Sequence, residues 1–319
     1  CIGCGHCVDV CPSGSVIHSD FPPQRVHTVD TSRLPAPEQV LELIRSRRSN
    51  RALTPRPIPD EALQRIVEAA RYAPTASNSR QVSFTLVTEP EQLLRIADFT
   101  VGVFASTARK LLHPVVRTLL KPLRPDLYRY AARFAEIERE HEAGNDPILR
   151  RATALLIIHT PASNRFGCED ANLAYQNASL MAESLGVSQI YMGFVLTAAR
   201  MGRKNAFARI AGITGRPQAI MALGIPAFRY SKYTERRRPG HAILSFSNNG
   251  ATDSLNGRTD AAAGVPTGKA PSLSRPICCG KRGKAPERHF KTDCSPIRSR
   301  FFLNLAFLYY LCCSKIENQ

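Results

Sequence analysis

The chain has 319 residues, an apolar fraction of 43% and a formal charge of +17, which allows one large domain or two ordinary ones. A basic charge can indicate nucleic-acid contact. Part of this charge, however, belongs to the tail, because residues 251–319 contain eleven Lys/Arg and five Asp/Glu. No basic stripe with interleaved aromatic residues is visible, so we expect no nucleic-acid partner. The nearest candidate for a membrane helix, residues 301–313, is shorter than the ~20 apolar residues required, so we expect no membrane partner.

The start of the chain and its cysteine distribution give two further expectations. The sequence opens at Cys1 without an initiator Met or a signal peptide, so we expect its natural start to lie upstream. The ten cysteines do not form a disulfide pattern, because four fall in the first eleven residues and five in the tail. Thiolates that bind iron need a reducing compartment, which predicts a cytoplasmic location.

Residues 1–30 form a short segment rich in Cys and Pro. Its spacing, Cys-x2-Cys-x2-Cys-x3-Cys-Pro, is typical of a ferredoxin-type [4Fe-4S] cluster. A zinc site would use two separated pairs, and disulfides among cysteines this close would be strained. The predicted ligands are Cys1, Cys4, Cys7 and Cys11. In two-cluster ferredoxins the fourth Cys serves the other cluster, so either a partner run lies upstream or all four serve one cluster.

Residues 31–37 read as a linker, and the main domain is predicted at residues 38–240. Its first helix is expected at residues 38–47, from the spacing of Val40, Leu41 and Ile44. The basic run Arg47-Arg48-Ser49-Asn50-Arg51 follows at a helix-to-loop junction. Guanidinium and hydroxyl groups there could bind a phosphate, although a solvated basic face is an open alternative.

A second helix is predicted at residues 60–71, and it breaks at Pro74 before the loop Thr75-Ala76-Ser77-Asn78-Ser79-Arg80. Small polar residues in such a loop can present hydroxyl and amide groups to a cofactor. An ordinary polar turn is the alternative. A strand should follow at residues 82–88, and residues 100–150 show helical patterns without a clear strand.

The remaining strands are predicted at residues 153–160 and 219–225, whose near-continuous apolar runs suit strands covered on both faces. Between them, a long Ala-rich helix is expected at residues 170–185, with Asp170 as N-cap and Gly186 as terminator. Lone residues such as His159 and Cys168 are interpreted as structural. The alternation predicts an α+β layered fold with helices packed on a central sheet.

The final part of the main domain carries Tyr191-Met192-Gly193, where glycine allows close approach to a planar cofactor. Near its end the run Arg236-Arg237-Arg238 could close on a phosphate. Residues 241–319 lose all periodicity and are predicted to be an irregular or disordered tail. Adjacent cysteine pairs in the tail lack zinc-ligand spacing.

The order of these motifs resembles the nitroreductase family of FMN enzymes. The motifs are the basic run after the first helix, the Ala-Pro-Thr-x-x-Asn loop, the Ala-rich helix ending in Leu-Gly, the Gly-Ile-Pro turn and the terminal Arg-rich run. With the cysteine run in front, residues 1–240 resemble ferredoxin–nitroreductase fusions. The resemblance implies a nitroreductase-like three-layer fold, with helices on both faces of the sheet. It also implies a homodimer with FMN between the subunits.

The resemblance further implies roles for individual residues. The phosphate and ribityl oxygens would be held by Arg47, Arg48, Ser49, Arg51 and Arg237. The flavin would be approached from the partner subunit by Thr75, Ser77 and Asn78, and its redox-active edge by Met192 and Gly193. Arg80 stands where the family often has Gln, so this ring contact is a departure.

We therefore expect a flavin-dependent oxidoreductase that passes electrons via FMN to a small organic acceptor such as a nitroaromatic or a quinone. The electrons would come either from the iron–sulfur cluster, which a ferredoxin-type donor would reduce, or from NAD(P)H. The sequence contains no GxGxxG fingerprint that would indicate nicotinamide binding, so both donors stay open. The flavin would carry the chemistry, so no obligate catalytic side chain is expected. The alternatives are a reductive dehalogenase or enone reductase on the same scaffold, and a non-catalytic electron-transfer flavoprotein.

Overall fold

The computed structural model describes residues 1–235, except for the side chains of Asp126, Leu127 and Arg129. Arg237 and the predicted tail lie outside the described residues. The Cys-rich segment contains little regular structure. It has a four-residue helix, α1 (His6–Asp9), and a 3-10 turn at Pro23–Arg25.

Five antiparallel strands in residues 1–235 form one sheet, with the longest strand at its centre. The strands are β1 (Leu53–Thr54), β2 (Ser83–Val87), β3 (Ala154–Thr160), β4 (Ser188–Tyr191) and β5 (Arg216–Pro226). β5 pairs with β3 from Leu223 back to Arg216, and with β4 from Gly224 back to Met221. β2 borders β3. The three predicted strands are confirmed, whereas β1 and β4 were not predicted.

Helices surround this sheet and account for the remaining predicted elements. They are α2 (Pro37–Ser46), α3 (Asp60–Arg71), α4 (Pro90–Leu112), α5 (Pro114–Leu120), α6 (Pro125–Glu142), α7 (Gly167–Ser184), α8 (Gly193–Met201) and α9 (Ala206–Ala211). The helical character predicted for residues 100–150 is confirmed by α4, α5 and α6. No helix within residues 1–235 is both long and apolar enough to cross a membrane.

The alternation of side chains along β3 divides the core into two layers, because successive residues of a strand point to opposite faces. Leu155 and Ile157 pack on the side of α4, α6 and α8. Leu156 and Ile158 pack with α3 and α7. All seven residues of β3 are buried, which confirms that both faces of the sheet are covered. The described part of the chain therefore has three layers, helices–sheet–helices.

The predicted N-cap of the Ala-rich helix was wrong. α7 begins at Gly167 and its N-cap is Phe166, so Asp170 lies inside the first turn. Asp170 is only 2% exposed. Its carboxylate accepts a hydrogen bond from the backbone N–H of Ala76, at 2.9 Å. The side chain therefore serves a distant loop instead of capping its own helix.

Helix α2 differs from the other long helices in leaving its apolar stripe uncovered. Val40, Leu41 and Ile44 are 40%, 44% and 47% exposed, although their spacing would place them on one face. A continuous exposed apolar stripe of this kind is typical of an interaction surface.

Candidate functional site

A cavity of about 740 Å³ lies at the end of α2 and contains most of the predicted phosphate-binding residues. It is lined by Ile44, Arg45, Arg47, Arg48, Ser49, Gln176, Tyr233, Thr234 and Glu235. Arg47 stands at the C-cap of α2, where the backbone leaves the helical conformation, so the basic run turns into the cavity. Three guanidinium groups against one carboxylate give the lining a positive charge, and this suits an anionic group.

Two tyrosines from the end of the described chain hold the arginines of this cavity. The Arg48 guanidinium lies 5.4 Å from the ring centroid of Tyr230, and that of Arg45 lies 5.2 Å from the centroid of Tyr233. Cation–π contacts of this kind attract a guanidinium to the face of an aromatic ring and so restrict where it lies. No local sequence pattern predicts this pairing, because more than 180 residues separate the partners.

Asn50 fastens the basic run to the same C-terminal segment. It is 3% exposed. Its side-chain Nδ2 donates to the carbonyl of Phe228 at 2.6 Å, and its Oδ1 accepts from the backbone N–H of Ala52 at 3.0 Å. Sequence reasoning did not assign Asn50 a role. Its two bonds determine the path of the chain between Ser49 and β1, and they keep the tyrosine-bearing segment beside the arginines.

Tyr175 and Gln189 form a buried polar pair next to the cavity. The Tyr175 hydroxyl donates to Oε1 of Gln189, and within the described residues Nε2 of Gln189 has no hydrogen-bond partner. Burial raises the pKa of Tyr175, while the nearby Arg47 guanidinium partly offsets that effect. The Tyr175 ring also contacts Tyr191 at the end of β4, with 4.9 Å between centroids. This pair connects the basic cavity to the strand that leads into α8.

The polar loop after α3 lies at a second cavity of about 810 Å³. Thr75, Asn78 and Arg80 line it, together with Asp170 and Cys4. Ser77 does not line it. The loop therefore does not line the basic cavity of the same chain.

Asn78 and Arg80 are already engaged by the Cys-rich segment. The side-chain amide of Asn78 donates to the backbone carbonyls of Ile2 and Gly3, at 3.0 and 2.9 Å. Arg80 donates to the same Gly3 carbonyl at 2.6 Å, and its guanidinium lies 5.6 Å from the ring centroid of Phe21. The residue that departs from the family pattern therefore attaches the N-terminal segment to the loop.

Arg51, Met192 and Gly193 do not line either cavity. Arg51 is exposed. Met192 is 5% exposed and its backbone N–H donates to the carbonyl of Ile220 at 2.9 Å. Gly193 is buried and begins α8.

The four N-terminal cysteines do not converge. Cys1 Sγ lies 3.7 Å from Nε2 of His18, and Cys11 Sγ contacts the hydroxyls of Ser13 and Ser15. Those hydroxyls lower the pKa of the Cys11 thiol to about 6. Among residues 1–235 no group of three or more potential ligands is placed to hold a metal ion. The thiols as arranged do not fit an iron–sulfur cluster, so the spacing remains its only support.

The described residues therefore form a three-layer α+β fold with a cationic cavity at the end of α2. The model of the nitroreductase family matches residues 44–225, which is more than half of the chain and includes the basic run, the loop after α3 and all of β5 except Pro226. The chain therefore belongs to the nitroreductase family. Membership makes it an FMN-dependent oxidoreductase.

Individual relatives agree with this assignment at modest identity. An NADPH-flavin oxidoreductase of Vibrio harveyi is 26% identical over 210 residues, which cover 64% of this chain and 72% of the relative. A protein named NADH dehydrogenase/NAD(P)H nitroreductase, from Archaeoglobus fulgidus, is 22% identical over 200 residues, with coverages of 61% and 87%. The crystal structure of a Bacteroides fragilis nitroreductase with bound FMN has a TM-score of 0.51 and 24% identity, covering 65% of this chain and 99% of that one.

Proposed function

We propose that the chain transfers electrons from NAD(P)H through FMN to a small organic acceptor such as a nitroaromatic or a quinone. The observation that carries the proposal is the cavity in which Arg45, Arg47, Arg48 and Ser49 come together. It lies where the family match begins, and its residue types suit a phosphate monoester. The names of the two curated relatives support a nicotinamide donor.

The residues of the basic cavity fit the phosphate end of FMN. Arg47 and Arg48 provide charge-assisted N–H donors, and Ser49 provides a hydroxyl. Tyr230 fixes the plane of Arg48, so less side-chain freedom is lost on binding. Arg51 and Arg237 stay in the proposal as further phosphate contacts, supported by the family resemblance alone.

The ring end of the site is proposed to be completed by a second subunit. Thr75, Ser77 and Asn78 of one subunit would approach the flavin of the other, while Met192 and Gly193 lie at the start of α8 on the same chain as the phosphate site. Two observations support a homodimer. The loop lies at a different cavity from the basic run, and α2 exposes an apolar stripe beside the arginines.

When bound, FMN would supply the redox chemistry, and the protein would position it and adjust its charge. The side chains of this chain would act by binding and orientation. Arg47 lines the proposed phosphate site and lies near enough to Tyr175 for its charge to lower the pKa of that hydroxyl, against the larger opposite effect of burial. We assign no side chain to obligate proton transfer.

The [4Fe-4S] cluster at Cys1, Cys4, Cys7 and Cys11 remains a prediction from spacing. The arrangement of these thiols does not support it, and no step of the proposed reaction passes through it. A ferredoxin-type donor and a cytoplasmic location remain predictions as well.

The experiment is a steady-state screen of the FMN-loaded protein with NADH or NADPH, using nitroaromatics, quinones, enones and haloaromatics as acceptors. The proposal expects nicotinamide oxidation that depends on added nitroaromatic or quinone. Turnover of haloaromatics or enones alone would replace the reaction with reductive dehalogenation or enone reduction. An absence of turnover with every acceptor, once the flavin has been reduced, would favour an electron-transfer flavoprotein.

A further inference from the structure

The loop at residues 75–80 has a backbone that its sequence does not favour. Ser77, Asn78 and Arg80 have φ angles of 52°, 54° and 52°, in the left-handed region that non-glycine residues enter rarely. Three such residues within four positions persist only when surrounding structure holds them. The loop therefore needs hydrogen bonds that hold this backbone in place.

One anchor is local and comes from the first residue of the loop. The Oγ1 of Thr75 accepts a hydrogen bond from the backbone N–H of Arg80, at 3.0 Å. This bond joins the two ends of the loop. It does not attach the loop to the rest of the protein.

A further anchor is Asp170, which reaches the loop from α7 and acts beside the contacts of Asn78 and Arg80 with the Cys-rich segment. One carboxylate oxygen accepts from the Ala76 N–H at 2.9 Å, and the other accepts from Nδ2 of Asn164 at 3.4 Å. At 2% exposed, Asp170 is among the few charged side chains buried in the described residues. Burying a carboxylate is unfavourable unless hydrogen bonds compensate for lost hydration, and the shorter of the two bonds of Asp170 goes to the loop backbone, which indicates a structural role there.

We propose that Asp170 is a positioning residue for the flavin site: it holds residues 75–80 in the strained conformation that presents Thr75, Ser77 and Asn78 to the cofactor. The inference rests on the proposed function, because it assumes that this loop contacts FMN. Within the loop, Asp170 accepts a hydrogen bond from the backbone N–H of Ala76. It therefore acts through the loop, by keeping the bound-like conformation populated before the cofactor arrives.

The test compares Asp170→Ala and Asp170→Asn with Asn177→Ala. Asn177 is a matched control on the same helix, since its Nδ2 donates to the backbone carbonyl of Ala69 at 3.3 Å and does not touch the loop. Two quantities are measured on each full-length protein: hydrogen–deuterium exchange of peptides covering residues 75–80 without FMN, and the Kd for FMN from quenching of flavin fluorescence. Thermal unfolding records any general loss of stability.

We expect a graded result. Asp170→Ala should speed exchange at residues 75–80 and weaken FMN binding by about tenfold, since a charged hydrogen-bond acceptor is removed. Asp170→Asn keeps a weaker, neutral acceptor and should weaken binding by roughly threefold. Asn177→Ala should change neither quantity, even where its unfolding temperature falls as far as that of Asp170→Ala.

Unchanged exchange and unchanged FMN affinity in Asp170→Ala would overturn the inference. If Asp170→Ala does not fold, Asp170→Asn provides the test. Exchange and FMN affinity equal to those of the unchanged protein would then overturn the inference. A failure of the unchanged protein itself to bind FMN would overturn the proposed function and the inference together.

Discussion

Asn50 offers a sharp test of how the basic cavity is built. Replacing Asn50 with Ala removes a side chain that is 3% exposed and makes two hydrogen bonds, to the Phe228 carbonyl and from the Ala52 N–H. Both partners are backbone groups, and each would lose the hydrogen bond that it makes with this side chain. Removing one partner from a buried bond costs about 1–3 kcal/mol, so we expect a total loss of roughly 2–3 kcal/mol.

The loss is measurable as a fall in unfolding temperature. For a domain of this size each kcal/mol corresponds to about 2–4 °C, so thermal unfolding followed by circular dichroism should show a fall of roughly 5–10 °C. FMN affinity should fall as well, because the segment that carries Tyr230 loses its attachment to the basic run. Ser46→Ala is the matched control: its hydroxyl is exposed and donates only to the Leu43 carbonyl in α2.

The control should unfold within about 1–2 °C of the unchanged protein, as surface substitutions usually do. If Asn50→Ala also stays in that range, the two bonds do not fix the loop, and the reasoning that joins residues 49–52 to residues 227–230 is wrong.

Two further substitutions and one iron analysis test other parts of the structure. Tyr175→Phe should destabilise the protein by about 1–3 kcal/mol in urea unfolding, because the buried amide of Gln189 loses its only described hydrogen bond; an unchanged urea midpoint would contradict the pairing. Burial lowers the pKa of His159 below its ordinary 6.5, so the unfolded state takes up the proton first and the stability that His159 contributes is present above pH 6.5 and lost as pH falls below it. His159→Gln should therefore lose less stability between pH 7 and pH 5 than the unchanged protein, and an identical loss would refute this. For the N-terminal cysteine run, anaerobic purification followed by iron analysis checks the spacing prediction: about four irons per chain would show that the thiols rearrange around a cluster, and iron-free protein with alkylatable thiols would end that prediction.

The sequence allowed good prediction wherever a local pattern determines the structure. β3 and β5 were found because their apolar runs are long and continuous. β4 was missed, because Ser188, Gln189 and Tyr191 leave one aliphatic residue in a four-residue strand. Ser188 and Gln189 are nevertheless buried, and Gln189 accepts a hydrogen bond from Tyr175 of α7. Such burial depends on a tertiary partner that no window of sequence contains.

The candidate site divides in the same way. The basic run was recognised from its composition and its position after a helix, and three of its predicted residues share one cavity. Asp170 was assigned to its own helix because an acidic residue near a helix start suits an N-cap. The structure uses it for a loop 94 residues earlier. Long-range hydrogen bonds of buried polar residues were thus the part of the site that sequence reasoning could not supply.

The most direct test of the account compares the binding of FMN and riboflavin, which differ by the phosphate alone. The unchanged protein should bind FMN more tightly by about tenfold or more, since charge-assisted hydrogen bonds to the phosphate contribute most there. Arg47→Gln and Arg48→Gln should each reduce this preference while changing riboflavin affinity little, and Arg56→Gln, an exposed arginine outside the cavity, should leave both affinities unchanged. Equal binding of FMN and riboflavin by the unchanged protein, or a preference that survives both arginine substitutions, would contradict the assignment of this cavity to the flavin phosphate.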